Sequence, residues 1–419
     1  MKDLYSINLR HIFRTAREEG WPFILICIYL FFEYVRPETI YPVIDIVSYV
    51  PIILGLAFLL SIINNELGNS VPNIINRLMV LYAVVVLLSS AVSFYPAQSF
   101  SRLSVFFDWF IIYFFIVQLV NNEKRFFVFL FLFLLFSFKM SQHGFISWAK
   151  IGFAFRSWGV TGAPGWFRNS GEVGIQMCIY VPLSIAFIIA TRKYLTKKWL
   201  ILLSLMPFTG IGTIIASSSR GALLGLGLAG IWSILRRPKV LVLGGIALAL
   251  ATCITISVLP QKSEQRFAAS GHDRTSLHRI ERWKAGIDAL NHYPVLGVGF
   301  DIWDIYYPEH YTPKIKGSSL VHNIFIQCGS ELGYTGLSVF VAMIFFCFLT
   351  TRKVRRLCRG HQDQFLAIMS YGFDSALVGL LASSFFVTVL YYPYFWIHCA
   401  LTTCLHTAAQ KKYAPLPPN

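Results

Sequence analysis

The sequence predicts an all-α polytopic membrane protein with about twelve transmembrane helices. Three observations carry this. Of the 419 residues, 56% are apolar and only 13% charged, and mean hydropathy is +0.60, far from the composition of a soluble globular chain. Apolar stretches close to the roughly 20 residues that cross a bilayer recur along the whole length. The basic residues of the short connections alternate between spans in a way that selects one face.

In chain order the spans are predicted near 20–36, 43–63, 76–95, 103–120, 125–142, 173–190, 198–217, 221–235, 240–259, 321–350, 367–390 and 392–408. Arg192, Lys193, Lys197 and Lys198 share one short loop, Arg236, Arg237 and Lys239 another, and Arg352, Lys353, Arg355, Arg356 and Arg359 a third. Lys2, Arg10, Arg14 and Arg17 precede the first span, and Lys411 and Lys412 follow the last. All fall on one face of a twelve-span arrangement, so the positive-inside rule predicts that both termini are cytoplasmic. The chain then divides into residues 1–259 with nine spans, a loop domain at 260–320, and residues 321–419 with three spans and a cytoplasmic tail. Arg17, Glu18 and Glu19 stand directly before the first span with no small-residue cleavage site, so that span is expected to be retained.

The net charge of +16 would suit nucleic acid, but its distribution over membrane-flanking loops excludes that partner and points to lipids. The eight cysteines lie mostly inside predicted spans without a CxxC pair, which fits packing and neither a disulfide framework nor a zinc site.

Topology does not account for the cations of the opposite face. These are Lys150, Arg156 and Arg168 between spans five and six, Arg220 between seven and eight, and Arg266, Arg274, Arg279 and Arg282 in the long loop. Either they offset that loop's own carboxylates, or they hold an anion. Ser219 is an expected N-cap for the eighth helix, which leaves Arg220 at that helix's positive end, where two sources of positive potential favour an anion. Glycines beside aromatics and arginines at Phe155–Gly162 and Trp166–Glu172 suit a loop folded against the bilayer surface or close to a ligand. Asp108, in the fourth span, is a functional candidate by its position in the membrane, or a partner for Arg102 or another arginine.

Within the long loop, Leu277, Ile280, Trp283, Ile287 and Leu290 recur at three- and four-residue steps, predicting an amphipathic helix over Ser276–Leu290. Arg279, Arg282 and Gly286 share a neighbouring stripe. Asp301 and Asp304 are spaced DxxD and are not expected to hold a metal. Trp303, Tyr306, Tyr307 and Tyr311 are candidates for a sugar-stacking or headgroup surface. His322 opens the tenth span just after Ser318 and Ser319. A helix start disfavours the imidazolium and keeps the ring able to accept a proton, as a general base requires. The alternative for His322 is an interfacial residue without chemistry.

Ser219-Arg220-Gly221, Arg279-Ile280-Glu281-Arg282-Trp283, Pro294-Val295-Leu296-Gly297-Val298-Gly299, His322-Asn323 and Glu331-Leu332-Gly333-Tyr334-Thr335-Gly336 follow one another in this order. The ordered set, covering roughly 155–340, resembles the bacterial O-antigen ligase and polymerase superfamily. The resemblance implies a GT-C-like glycosyltransferase of the inner membrane with its active site on the periplasmic face, inverting and independent of metal or other cofactor. The donor would be a glycan on undecaprenyl diphosphate and the acceptor a lipid A-core hydroxyl. Arg220 and Arg279 would bind the donor diphosphate, and His322 would be the base or orient the acceptor. Arg282 has no counterpart in that pattern and enters from the residues alone; Arg156, Arg168 and Asn323 are further candidates for substrate contact. Polymerisation of a second lipid-linked glycan and glycosylation of protein share the chemistry. A lipid-linked glycan flippase would need a cationic cavity but no poised base.

Overall fold

The structure, a computed structural model, describes residues 1–68, 70–154, 159–162, 165–236, 246, 274–311, 319–362 and 364–414. The described residues are helical, with no strand among them. Among the described residues, fourteen helices of eight or more residues follow one another. They are α1 (Leu9–Glu18), α2 (Trp21–Tyr34), α3 (Tyr49–Ile63), α4 (Ile74–Ala91), α5 (Ser104–Leu119), α6 (Glu123–Lys150) and α7 (Ser170–Thr191). The chain continues through α8 (Lys197–Ala216), α9 (Arg220–Arg236), α10 (Arg274–His292), α11 (Trp303–His310), α12 (Ile324–Leu357), α13 (Phe365–Ser384) and α14 (Pro393–Tyr413). A helix stands at each predicted span except the ninth, which lies outside the described residues. Among the described residues, seven segments are long and apolar enough to cross a membrane: α4, Pro96–Leu119 through α5, α6, α7, α8, α12 and α13.

The helices begin and end where local chemistry directs. Asn73, Asn122 and Thr196 cap α4, α6 and α8 by accepting from backbone N–H groups of the first turn. Pro393 opens α14, where its missing N–H costs nothing. The predicted span 367–390 is shorter than expected. α13 stops at Ser384, and 385–392 runs on as non-helical chain to the proline.

α7 lies at the centre, packed along α13, α8 and α9, while α12 packs on α4 and α14, and α14 on α5. The cysteines are small packing residues, as expected: all seven described ones are buried. Arg125 at the start of α6 binds Glu19 (2.8 Å) and Glu66 (2.7 Å), tying the connections after α1 and α3 to one helix end.

The loop after α10 is bonded to α12 through a break in that helix. Gly333 has φ 67° and ψ −172°, so the carbonyls before it lose their helical donors. Val298 N–H takes the carbonyl of Ser330 (2.9 Å) and Gly299 N–H that of Glu331 (3.2 Å), while Tyr334 N–H donates to Pro294 (2.7 Å). Neither side has room for a side chain: a Cβ on Gly333 would lie 2.4 Å from the Val295 carbonyl oxygen, and one on Gly297, at φ 70°, 2.4 Å from the Glu331 carbonyl carbon. Two of the ordered sequence motifs are therefore two halves of one backbone junction.

Candidate functional site

The non-helical chain 385–392 is the hub of the site, and its neighbours arrive from five elements. Gly221, beside Arg220 at the start of α9, faces the Ser383 carbonyl and the Phe386 side chain. Gly171, at the start of α7, faces Val387. Trp283 of α10 meets Phe385 edge-on at 5.6 Å. The Thr388 hydroxyl accepts a 2.8 Å bond from the backbone N–H of His322. Tyr391 donates through its hydroxyl to Glu331 of α12 (2.6 Å), while its carbonyl accepts from the Trp109 indole (2.7 Å).

His322 stands one residue outside the helix that sequence reasoning had it begin. It has φ 56°, and Asn323 is the N-cap of α12, its Oδ1 accepting from Phe325 N–H (2.9 Å) and Ile326 N–H (3.1 Å). Ser319 instead accepts from the Trp303 indole through its carbonyl (2.9 Å). The candidate substrate contact Asn323 thus has a structural duty that fixes the residue next to it. Burial, first, and then the charges of Arg279, His278 and Arg282 lower the His322 pKa from 6.5 to about 4, so the ring is neutral near pH 7.

α10 brings those charges in. It packs on the first turns of α12, where Gly286 leaves no room for a Cβ against the Ile326 side chain (2.5 Å). The buried face of α10 matches the expected one only in part, through buried Leu290 and half-buried Ile280 and Trp283. Leu277 and Ile287 are exposed, whereas Arg282, Ala285 and Ala289 face inward. The inward stripe is the one that holds Arg279, Arg282 and Gly286, because the helix seats its glycine against α12. Arg282 is only 1% exposed. It binds Glu281 (2.9 Å) and His278 (2.9 Å) and stacks over the Tyr307 ring at 4.5 Å. Its guanidinium is therefore rigid and already partnered, which suits a fixed positive wall.

Arg220 opens α9 and is half-buried. Ser219 caps that helix as expected, its hydroxyl accepting from Ala222 N–H (3.3 Å). Arg168 is exposed on the loop before α7. Asn169 and Glu172 close a capping box there, so their side chains serve the start of α7. Arg156 lies outside the described residues, as do Arg266 and Ser318.

Two expectations change. Arg102 does not pair with Asp108; it binds Asp304 (2.6 Å) and the Asp301 carbonyl (2.6 Å). The Asp304 carboxylate is thus engaged by a guanidinium, and burial raises the Asp301 pKa. Trp303, Tyr306 and Tyr307 do not form an open stacking platform. They are buried and pack on one another with Ala285, Ala289 and Val298 as a satellite core, which leaves their faces covered.

Sequence reasoning missed Thr388, Tyr391, Gln327 and the role of Arg102. None carries a local pattern: Tyr391, Thr388 and Arg102 are recruited by partners at least 60 residues away, as in Tyr391–Glu331, Thr388–His322 and Arg102–Asp304, and Gln327 only lines a cavity that the packed helices create.

Residues 205–341 match the sequence model of a family described as O-antigen ligase. That segment holds Arg220, Arg279, Arg282, His322, Asn323 and Glu331. No curated protein matches the chain.

Proposed function

We propose, from the match of residues 205–341 to the family described as O-antigen ligase, that the chain is a membrane glycosyltransferase of that superfamily. In this reading it moves a glycan from undecaprenyl diphosphate to a lipid A-core hydroxyl at the periplasmic face of the bacterial inner membrane, both termini being cytoplasmic. The observation that carries it is the convergence at His322: a neutral, half-buried imidazole under the charges of Arg279, His278 and Arg282, fixed through its backbone by Thr388.

In the proposed step the acceptor oxygen attacks the anomeric carbon from the side opposite the diphosphate. The new carbon–oxygen bond forms as the bond to the diphosphate oxygen breaks, with inversion. The bonding pair leaves with undecaprenyl diphosphate, and the hydroxyl proton passes to the imidazole of His322 and on to solvent. Charge accumulates on the leaving diphosphate, where Arg220, Arg279 and the prealigned Arg282 stabilise it without reorganising. Those cations are assigned to the donor diphosphate, so the reaction is written without a metal. A bound diphosphate also offsets the positive charge that acts on His322, which raises the ring's affinity for a proton once the donor is seated.

The test is transfer by the purified chain given undecaprenyl-diphosphate glycan and lipid A-core with EDTA and no nucleotide. Ligated lipid A-core is expected. Longer lipid-linked glycan alone would make the chain a polymerase, and passage of the intact donor across vesicles without transfer would make it a flippase.

A further inference from the structure

A polar cavity of about 150 Å³ adjoins His322. Its lining comes from Arg102 before α5, Asp301 in the loop, Trp303 and Asp304 of α11, Leu320 and Val321 immediately before His322, Gln327 and Glu331 on α12, and Thr388. Three carboxyl groups against one guanidinium make it a poor place for phosphate. That guanidinium is moreover engaged twice by Asp304, through Nη1 (2.6 Å) and Nη2 (3.2 Å). What the cavity offers instead is hydrogen-bond acceptors. Gln327 is 4% exposed, and its Oε1 is buried without a hydrogen-bond partner. An amide oxygen in that state costs free energy unless a donor reaches it. Ser330, Glu331 and Tyr391 are already bonded elsewhere, so the donor must come from outside.

We propose that this cavity is a sugar subsite, in which Gln327 Oε1 and the flanking carboxyl oxygens accept hydrogen bonds from the hydroxyls of one neutral sugar unit of a glycan bound at His322. The chemistry decides the class. Hydroxyls donate to acceptor-rich walls, an anion is repelled by them, and the volume matches about five waters at roughly 30 Å³ each, well below the size of a pocket for a large ligand. The lining residues differ from the cations that act on His322: Arg279 and Arg282 lie within electrostatic reach of the imidazole, whereas the acceptor-rich cavity is lined by Val321 and Thr388 and by neither arginine. This inference rests on the transferase reading for which sugar is meant, donor or acceptor, but not for the binding itself.

Two variants test it in the purified full-length chain. Gln327→Met removes the acceptor at similar volume, and Leu320→Trp blocks the cavity from an exposed rim position. The probes are the delipidated core oligosaccharide and the delipidated donor glycan, their binding followed by ligand-observed NMR, beside KM for each intact substrate. One oligosaccharide is expected to bind the native chain and to bind Gln327→Met about three- to tenfold more weakly, the loss of one neutral hydrogen bond, and Leu320→Trp more weakly still. A raised KM for lipid A-core assigns the subsite to the acceptor sugar, and for the lipid-linked donor to the donor sugar. Oligosaccharide binding that both variants weaken, in a chain that performs no transfer, would sustain the subsite while the transferase reading fails. No oligosaccharide binding by the native chain, or native binding in both folded variants, would overturn it.

Discussion

The backbone N–H of His322 donates to Thr388 Oγ1 at 2.8 Å, joining the residue before α12 to the chain that leaves α13. His322 needs such a tie because its φ of 56° is a conformation that non-glycine residues seldom hold unaided. Thr388→Val leaves that N–H without its partner and is predicted to cost about 1–3 kcal/mol. Its kcat is expected to fall more than its KM rises, since the imidazole loses its placement. Thr388→Ser retains the hydroxyl and should restore both. Thermal melting and steady-state transfer by the two variants measure this; equal loss in Val and Ser variants would refute the role of the hydroxyl.

Replacing the base itself must respect the same backbone. Asparagine tolerates positive φ better than alanine, so His322→Asn is the variant that separates chemistry from folding. It is predicted to melt within a few degrees of the native chain and to lose about 10²–10⁴-fold in kcat, the usual contribution of a general base. Native turnover in His322→Asn would leave the imidazole no catalytic part.

The pH dependence follows from the cations around His322. Its pKa is lowered to about 4, mainly by burial and then by Arg279, His278 and Arg282. The ring therefore stays neutral until the pH falls through about 4, and kcat/KM is expected to decline only there. Bound diphosphate offsets Arg279 and Arg282, so the acid limb of kcat should lie at higher pH than that of kcat/KM. Arg279→Gln removes a positive neighbour, and the limb of kcat/KM should move upward. Stability carries the opposite bookkeeping of protons. Between about 6.5 and about 4 the unfolded chain holds the proton and the folded chain does not, so this residue's contribution to stability declines as pH falls through that window and is constant above it. Rate profiles of both enzymes carried from well below pH 4 up to neutral pH decide the matter; coincident limbs would rule out the coupling.

Gly333→Ala tests the junction between α12 and the loop. The added Cβ would meet the Val295 carbonyl at 2.4 Å, on a backbone at φ 67°. A loss of about 1–3 kcal/mol or more is expected from the strain alone. Activity should fall as well, because Glu331 and the loop from Val298 to Asp301 are aligned by the same hydrogen bonds. A melting temperature equal to that of the native chain would show that the junction can shift without cost.

Asn323→Ala removes the acceptor for two first-turn N–H groups of α12 and should cost about 0.5–2 kcal/mol. Asn323→Asp, which keeps the cap, should retain most of the stability, and a melt comparison of the pair distinguishes capping from substrate contact.

Hydropathy, caps and charge distribution are local properties of the chain, and they were enough to locate the helices. A helix stands at every predicted span among the described residues, Ser219 caps α9, and the loop helix spans Arg274–His292 around the predicted Ser276–Leu290. The ordered motifs likewise marked the segment that matches the O-antigen ligase family. What the sequence could not determine was rotation and partnership. The apolar repeat of α10 suggested one buried face, but close packing of Gly286 on Ile326 turned Arg282 inward and left Leu277 and Ile287 outside. Arg102 had Asp108 six residues away as an obvious partner, yet binds Asp304. Periodicity reports only that a helix has two faces, whereas the choice between them, and the pairing of charges two hundred residues apart, depends on which surfaces fit when the helices pack. Thr388 and Gln327 acquire a place beside His322 for the same reason: the end of α13 and the start of α12 meet only in the folded chain.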